Sequence, residues 1–227
     1  MKIAAIIPGA GSGTRFGSDK NKIFANLKQK PVFLRTLEAF AKRNDICQLI
    51  FVVSQQDRPE FESCYADEFK KLGVTLVTGG ATRTQSVRNA LNIVSDDADL
   101  VAIHDAARPC IAQSWLDRVF IQADKHDAAL LAYPIFGTVK RVEDSIITET
   151  LDRSKFHNLY EAQTPQVFKR ELVKQAYDTG EEATDCAALV ELIGHRVAIA
   201  VGDLRNIKIT TKADLKFAEE IFETIDR

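Results

Sequence analysis

Short apolar runs alternate with longer amphipathic stretches over most of this chain, and each such pair implies a strand followed by a helix. Residues 2–8 read as a first strand. Residues 31–43 place Val32, Leu34, Leu37 and Phe40 at helical spacing, with Pro31 at the first turn, where a missing N–H costs nothing. Residues 49–54 read as a buried strand, 59–72 as the next helix, and 74–78 as a third strand that ends in Gly79-Gly80. The pattern continues with a helix over 84–94 and a strand over 100–104. A helix then runs from Trp115 to about residue 125 with Ser114 as its cap, and a strand covers 128–133.

This β-α-β-α succession predicts an α/β fold: a doubly wound, mostly parallel, Rossmann-like sheet with helices on both faces. Ligands of such sheets bind at the carboxyl ends of the strands. Three of those ends carry glycines or charges beyond what turn-making needs: residues 9–13, 79–83 and 105–109.

Residues 134–160 break the rhythm. Positions 138–143 and 145–151 alternate polar and apolar residues around Glu143-Asp144-Ser145, the pattern of a protruding β-hairpin arm. Such an arm has to cover its apolar side chains, either on a second subunit or by folding back on its own domain. Afterwards come a strand near 166–168, helices over 170–177 and 184–193, strands over 198–201 and 207–210, and a last helix from 212 to about 225. No repeat or linker intervenes, so one domain over residues 1–227 is expected, with the 134–160 arm within it.

Composition narrows the setting. With 227 residues, 45% hydrophobic and 27% charged, the chain is an ordinary globular sequence. A net charge of −2 gives no broad attraction to nucleic acid or to a membrane surface, so phosphate recognition has to be local. Cys47, Cys64, Cys110 and Cys186 lack C-x-x-C spacing, which argues against structural zinc and against a disulfide framework. No apolar run reaches the length of a membrane span, and the chain enters a strand at once, without a secretory leader. The expected setting is a reduced cytoplasm.

The chemistry concentrates at the predicted strand ends. The segment Pro8-Gly9-Ala10-Gly11-Ser12-Gly13-Thr14-Arg15 follows the first strand, and Lys22 stands close behind. Glycines let backbone N–H groups approach phosphate oxygens, and the two cations add full charge. The plainer alternative is a tight turn with solvated cations. Asp105, after a strand expected to be central, suits Mg²⁺, which takes one or two carboxylates plus phosphate oxygens. Its plainer alternative is a turn in which Asp105 caps the backbone and pairs with Arg108. His104 reads as a packed, hydrogen-bonded neighbour, and Cys110 as a packed apolar thiol.

The loop over residues 8–15, Lys22, Gly79-Gly80 with Arg83 and Ser86, residues 104–109, Thr164-Pro165-Gln166 and Asn206-Ile207-Lys208-Ile209-Thr210 occur in one order. In that combination the chain resembles the 2-C-methyl-D-erythritol 4-phosphate cytidylyltransferases over nearly its whole length. The resemblance implies CTP and a sugar-alcohol phosphate as substrates, Mg²⁺ or another divalent cation as cofactor, and pyrophosphate as product, on the non-mevalonate route to isoprenoid precursors. It also implies a homodimer joined through the 134–160 arm, with no nucleic-acid or membrane partner.

Carried over by motif, Arg15 and Lys22 would stabilise the transition state, with Lys208 and Arg153 adding charge. Pro8, Gly9, Ala10, Gly11, Ser12, Gly13, Gly80, Arg83, Ser86, Asp105 and Ala106 would hold the nucleotide. Asp105, Thr138, Arg153 and Lys208 would hold the acceptor, Thr138 and Arg153 coming from a partner's arm. Asp105 would help bind the metal.

The chain departs from the family pattern at several points. Gly9 and Asn21 replace an alanine and a proline, changes expected to loosen the loop. Gly137 stands where an aspartate precedes the arm threonine, Cys186 where an acid follows Asp185, and about three extra residues follow Arg153. Ribitol-5-phosphate cytidylyltransferases share the loop and the arm, but their post-strand motif more often has valine where this chain has Ala107. An NAD-dependent oxidoreductase is disfavoured, because the glycines are spaced G-x-G-x-G and the second strand ends in Ser54 without an acid. A non-catalytic nucleotide-binding regulator is the remaining alternative.

Overall fold

Strand β1, Ile3–Pro8, is buried along nearly its whole length, and its side chains alternate between two cores. Ile3, Ala5 and Ile7 join one core, while Ala4 and Ile6 join the other. A strand with apolar residues on both faces needs helices on both faces, which is the physical content of a doubly wound sheet. The computed structural model describes residues 1–11, 16, 21–151 and 159–226.

The remaining elements are short strands β2 (Asn26–Leu27) and β3 (Lys30–Pro31), helix α1 (Val32–Ala41), β4 (Ile46–Val53), α2 (Arg58–Cys64), α3 (Ala66–Leu72), β5 (Val74–Thr78), α4 (Arg83–Leu91), β6 (Leu100–Ile103) and α5 (Gln113–His126). They continue with β7 (Ala128–Pro134), β8 (Val139–Glu143), β9 (Ile146–Leu151), β10 (Tyr160–Lys169), α6 (Arg170–Asp178), α7 (Cys186–Leu192), β11 (Ala198–Val201) and α8 (Lys212–Ile221). Among the described residues seven strands form the central sheet, in the order β11-β7-β10-β6-β1-β4-β5. The chain builds outward from β1 through β4 to β5, then returns to place β6 on the other side of β1. That reversal makes the carboxyl ends of β1 and β6 the topological switch point, where such sheets open a crevice.

Several expectations need correction. The strand expected at 166–168 is the C-terminal part of the much longer β10, which runs antiparallel between β6 and β7. The helix expected over 59–72 is two helices, broken at Tyr65, whose ring packs edge-on against Phe33 at 4.9 Å. Helix α5 starts after Ala112, with no side-chain cap, so Ser114 lies inside the helix rather than at its cap. Residues 207–210 belong to no strand, although Ile209 N–H donates to the Ala107 carbonyl at 2.8 Å. Helix α8 ends at Ile221, short of residue 225.

The hairpin β8–β9 forms its own two-stranded sheet. Asp144 and Ser145 turn it with φ of 48° and 66°, the left-handed pair that matches strand twist in a two-residue hairpin. Phe136, Val142, Ile146 and Ile147 on this segment are 53–68% exposed, an unusual density of apolar side chains in water. Among the described residues no helix is long and apolar enough to cross a membrane. All four cysteines are free, Cys110 and Cys186 buried and Cys47 and Cys64 exposed.

Candidate active site

The glycine-rich loop leaves β1 under backbone control. Gly9 N–H donates to the Val52 carbonyl at 2.7 Å, extending the β1–β4 ladder past Pro8. A Cβ on Gly9 would lie 2.6 Å from Cε2 of Phe51, so here the absent side chain makes room for a core ring. Asn21 then closes the loop. Its Nδ2 donates to the carbonyls of Gly11 at 2.8 Å and Gly9 at 3.3 Å, and its Oδ1 accepts from Ile23 N–H. At the described residues of the loop, Phe51 fills the space beside Gly9 and Asn21 ties the Gly9 and Gly11 carbonyls.

The second wall follows β5. Gly79 N–H donates to the Val53 carbonyl at 2.8 Å, and Thr82 caps α4 by accepting from Gln85 N–H. Ser86 Oγ accepts from Gly80 N–H at 3.1 Å and donates to the Thr82 carbonyl at 2.8 Å. The Ser86 hydroxyl thus shapes the turn, and the Gly80 N–H is already taken. Arg83, in the first turn of α4, points its Nη2 toward Asp105 Oδ1 at 3.5 Å.

The third wall follows β6. Asp105 N–H donates to Thr164 Oγ1 at 3.1 Å, and Thr164 Oγ1 meets His104 Nδ1 at 3.1 Å. His104 Nε2 lies 2.9 Å from the Arg108 carbonyl. These contacts suit a neutral ring that accepts at Nδ1 and donates from Nε2. Burial lowers the His104 pKa to about 4, in keeping with that neutral form. Asp105 is the opposite case. Burial would raise its pKa, but Arg83, Lys208 and Arg108 hold the carboxyl well below the usual carboxylate range.

Lys208 arrives from the far end of the chain. Arg108 Nη1 donates to the Asn206 carbonyl at 2.6 Å, and Asn206 Nδ2 donates to the Thr164 carbonyl at 2.8 Å. With Ile209 pinned to Ala107, this segment sets Lys208 Nζ 2.7 Å from Asp105 Oδ2. The three walls and Lys208 enclose a cavity of about 500 Å³. Glycine backbone, one carboxylate and several cations converge on it, a surface built for a polyanion.

Three comparisons bear on this geometry. The model of the 2-C-methyl-D-erythritol 4-phosphate cytidylyltransferase family matches residues 3–224. The chain belongs to this family. A 2-C-methyl-D-erythritol 4-phosphate cytidylyltransferase of Rhodopirellula baltica is 44% identical, over 96% of this chain and 94% of its own. One from Endomicrobium trichonymphae is also 44% identical, over 99% of this chain and 100% of its own. The crystal structure of the Francisella tularensis 2-C-methyl-D-erythritol 4-phosphate cytidylyltransferase superposes with a TM-score of 0.82 at 29% identity, covering 97% of this chain and 100% of that one. That of Thermus thermophilus gives 0.78 at 28% identity, covering 98% and 100%.

Within this cytidylyltransferase fold, most residues singled out from sequence meet at one place. Pro8, Gly9, Ala10, Gly11 and Lys22 line one side of the cavity, Gly80, Arg83 and Ser86 another, and Asp105, Ala106 and Lys208 the floor. Thr138 does not line it; it is exposed at the base of the arm. Ser12, Gly13, Arg15 and Arg153 lie outside the described residues. Sequence reading missed the part played by Asn21, whose side chain ties the loop, and the cavity contacts of Ala81, Thr82 and Ala107. The available signals for Asn21 were the neighbouring glycine loop and the asparagine standing where the family pattern has a proline.

Proposed function

We propose that this protein transfers the cytidylyl group of CTP to 2-C-methyl-D-erythritol 4-phosphate and releases pyrophosphate, a step in making isoprenoid precursors. The observation that carries the reading is the convergence of the glycine loop, Lys22, Arg83, Asp105 and Lys208 on one cavity in a chain of this family. Ribitol 5-phosphate as acceptor is not favoured, since the curated relatives quoted above are named for methylerythritol phosphate.

The acceptor phosphate is already an anion near neutral pH, so no base has to remove a proton. One of its oxygens forms a bond to the α-phosphorus of CTP, the bond from that phosphorus to the bridging oxygen breaks, and pyrophosphate leaves with the electron pair. Such a reaction requires alignment and charge neutralisation. Lys22, Arg83 and Lys208 bring positive charge to the cavity from three directions, and Arg15 would add a fourth. Gly80 and Ser86 line the wall where the nucleotide base would lie.

Among the described residues no group of three His, Cys, Asp or Glu side chains could hold a metal ion without further ligands. Asp105 does fit as one carboxylate ligand for a Mg²⁺ that also takes phosphate oxygens, because it stays ionised and faces the cavity. When bound, the ion would neutralise charge on the departing pyrophosphate.

The chain acts as one nucleotidyltransferase domain and as a homodimer through the arm. The exposed Phe136, Val142, Ile146 and Ile147 support that reading, as does the position of Thr138 outside the cavity of its own chain. Thr138 of the partner subunit would then complete the acceptor site, with Arg153 of the partner subunit. The four free cysteines fit a cytoplasmic setting. The test is a pyrophosphate-release assay crossing CTP, ATP, GTP and UTP with methylerythritol phosphate and ribitol phosphate. Release with CTP and methylerythritol phosphate is expected, and no release with that pair refutes the assignment.

A further inference from the structure

Arg83 reaches the cavity with its other edge held by sulfur. Its Nη1 donates to Cys186 Sγ at 3.2 Å, while Nη2 faces Asp105 Oδ1 at 3.5 Å. The same sulfur accepts the Tyr177 hydroxyl at 3.1 Å. Cys186 is fully buried and Tyr177 nearly so. A packed thiol behaves as a small hydrophobe and needs no polar neighbours. Here two donors converge on Sγ, and among the described residues no acceptor faces it.

The sulfur is also rigidly placed. Gln166 Oε1, from β10, accepts both Cys186 N–H at 2.9 Å and Ala187 N–H at 3.0 Å, and Gln166 Nε2 donates to Asp185 Oδ2 at 2.9 Å. A guanidinium is planar, so fixing one nitrogen on a static acceptor orients the others. The chain of contacts runs from the central sheet through Gln166 and Cys186 to Arg83, and it ends at the cavity wall. The charged form of Arg83 is favoured beyond its ordinary range, with Cys186 the largest cause and Asp105 a further one acting against burial.

We propose that Cys186, backed by Tyr177, is a positioning residue that aims Arg83 at the triphosphate of the nucleotide. The inference rests on the CTP reading of the cavity, and it assigns the thiol a share in nucleotide affinity without contact to substrate. Thr164-Pro165-Gln166 then acquires two tasks: Thr164 holds Asp105, and Gln166 holds the sulfur that holds Arg83.

The test pairs steady-state kinetics with calorimetric CTP binding in the absence of acceptor. Cys186→Ala is expected to raise both the KM and the Kd for CTP about tenfold, the size of one lost hydrogen bond to a charged group. The KM for the acceptor should stay within about twofold, because the described contacts of Cys186 run to Arg83, Tyr177 and Gln166 and not to Lys208. Cys186→Ser, which keeps an acceptor, should recover most of the affinity, and Tyr177→Phe should give a smaller loss of the same kind. In an Arg83→Ala background, Cys186→Ala should add nothing to the loss of CTP affinity. Unchanged CTP affinity in an active Cys186→Ala enzyme overturns the proposal. So does a parallel loss of both substrates and of thermal stability that Cys186→Ser fails to recover. Wild-type protein that neither binds nor turns over CTP would instead overturn the cytidylyltransferase reading, and this proposal with it.

Discussion

Lys208 and Asp105 form an ion pair of 2.7 Å at the cavity floor, between segments that meet only through the tertiary fold. Lys208 is 41% exposed, whereas Asp105 is largely buried, so solvent screens the lysine's end of the pair. The pair therefore adds little to stability and chiefly holds an ammonium where a substrate phosphate would arrive. Lys208→Met should lower kcat about 100-fold or more, as loss of one preorganised charge does, with little change in melting temperature. Kinetics alongside a thermal melt check this, and unaltered turnover would remove Lys208 from the reacting site.

Lys22 lies in the 3-10 turn Lys22–Phe24, whose entry is held by Asn21. That turn fixes the backbone of Lys22 as it lines the cavity beside the glycine loop. Lys22→Ala should lower turnover by about two to three orders of magnitude while leaving the circular dichroism spectrum intact. Near-normal turnover would exclude it from transition-state stabilisation.

Gly9 and Phe51 are a matched pair. A Cβ at residue 9 would meet the Phe51 ring at 2.6 Å, and that ring stacks on Phe33 with centroids 5.4 Å apart. Gly9→Ala should destabilise the fold by about 1–3 kcal/mol through overpacking. Adding Phe51→Leu should recover part of that loss. Denaturant titration of the single and double variants measures the coupling, and strict additivity would contradict the pairing.

Asp214 anchors the segment that carries Lys208. Its Oδ2 accepts from the N–H groups of Thr210 at 2.8 Å and Thr211 at 2.7 Å, completing a capping box on α8. Burial would raise its pKa, but these donors outweigh burial and hold it below its ordinary value. A depressed carboxyl stabilises the fold above its unfolded pKa, and that contribution is lost as pH falls through the folded one. Asp214→Asn should therefore cost about 1 kcal/mol near neutrality and progressively less below about pH 4. Urea titrations at pH 7 and pH 3 decide it, and an equal cost at both would reject the ionic origin.

The arm prediction concerns assembly and activity together. Replacing Ile146 and Ile147 with lysine should yield monomers in analytical ultracentrifugation, because their exposed apolar surface is what a partner would cover. Mixing inactive Lys22→Ala and Thr138→Ala subunits should restore about a quarter of wild-type activity, since half the random dimers carry one intact site of two. No recovery after subunit exchange would rule out a site shared between protomers.

Local pattern carried much of this protein. The unbroken apolar runs in β1 and the second half of β4 report burial on both faces, and the helical spacing of Val32, Leu34, Leu37 and Phe40 reports α1, because both patterns follow from the backbone within a few residues. The glycine loop, Asp105 and Lys208 were recognisable for the same reason: a motif is short. Long-range pairing supplied the rest. Within Tyr160–Lys169 only residues 166–168 read locally as a strand, and the whole span becomes one reversed strand because β6 and β7 offer it ladders on both sides. Residues 207–210 look like a strand, yet among the described residues no neighbour completes a ladder, and the segment is held by Arg108 and Ala107 instead. Asn21 on the loop carbonyls and Cys186 on Arg83 are side-chain encounters across the chain, and no local periodicity encodes them.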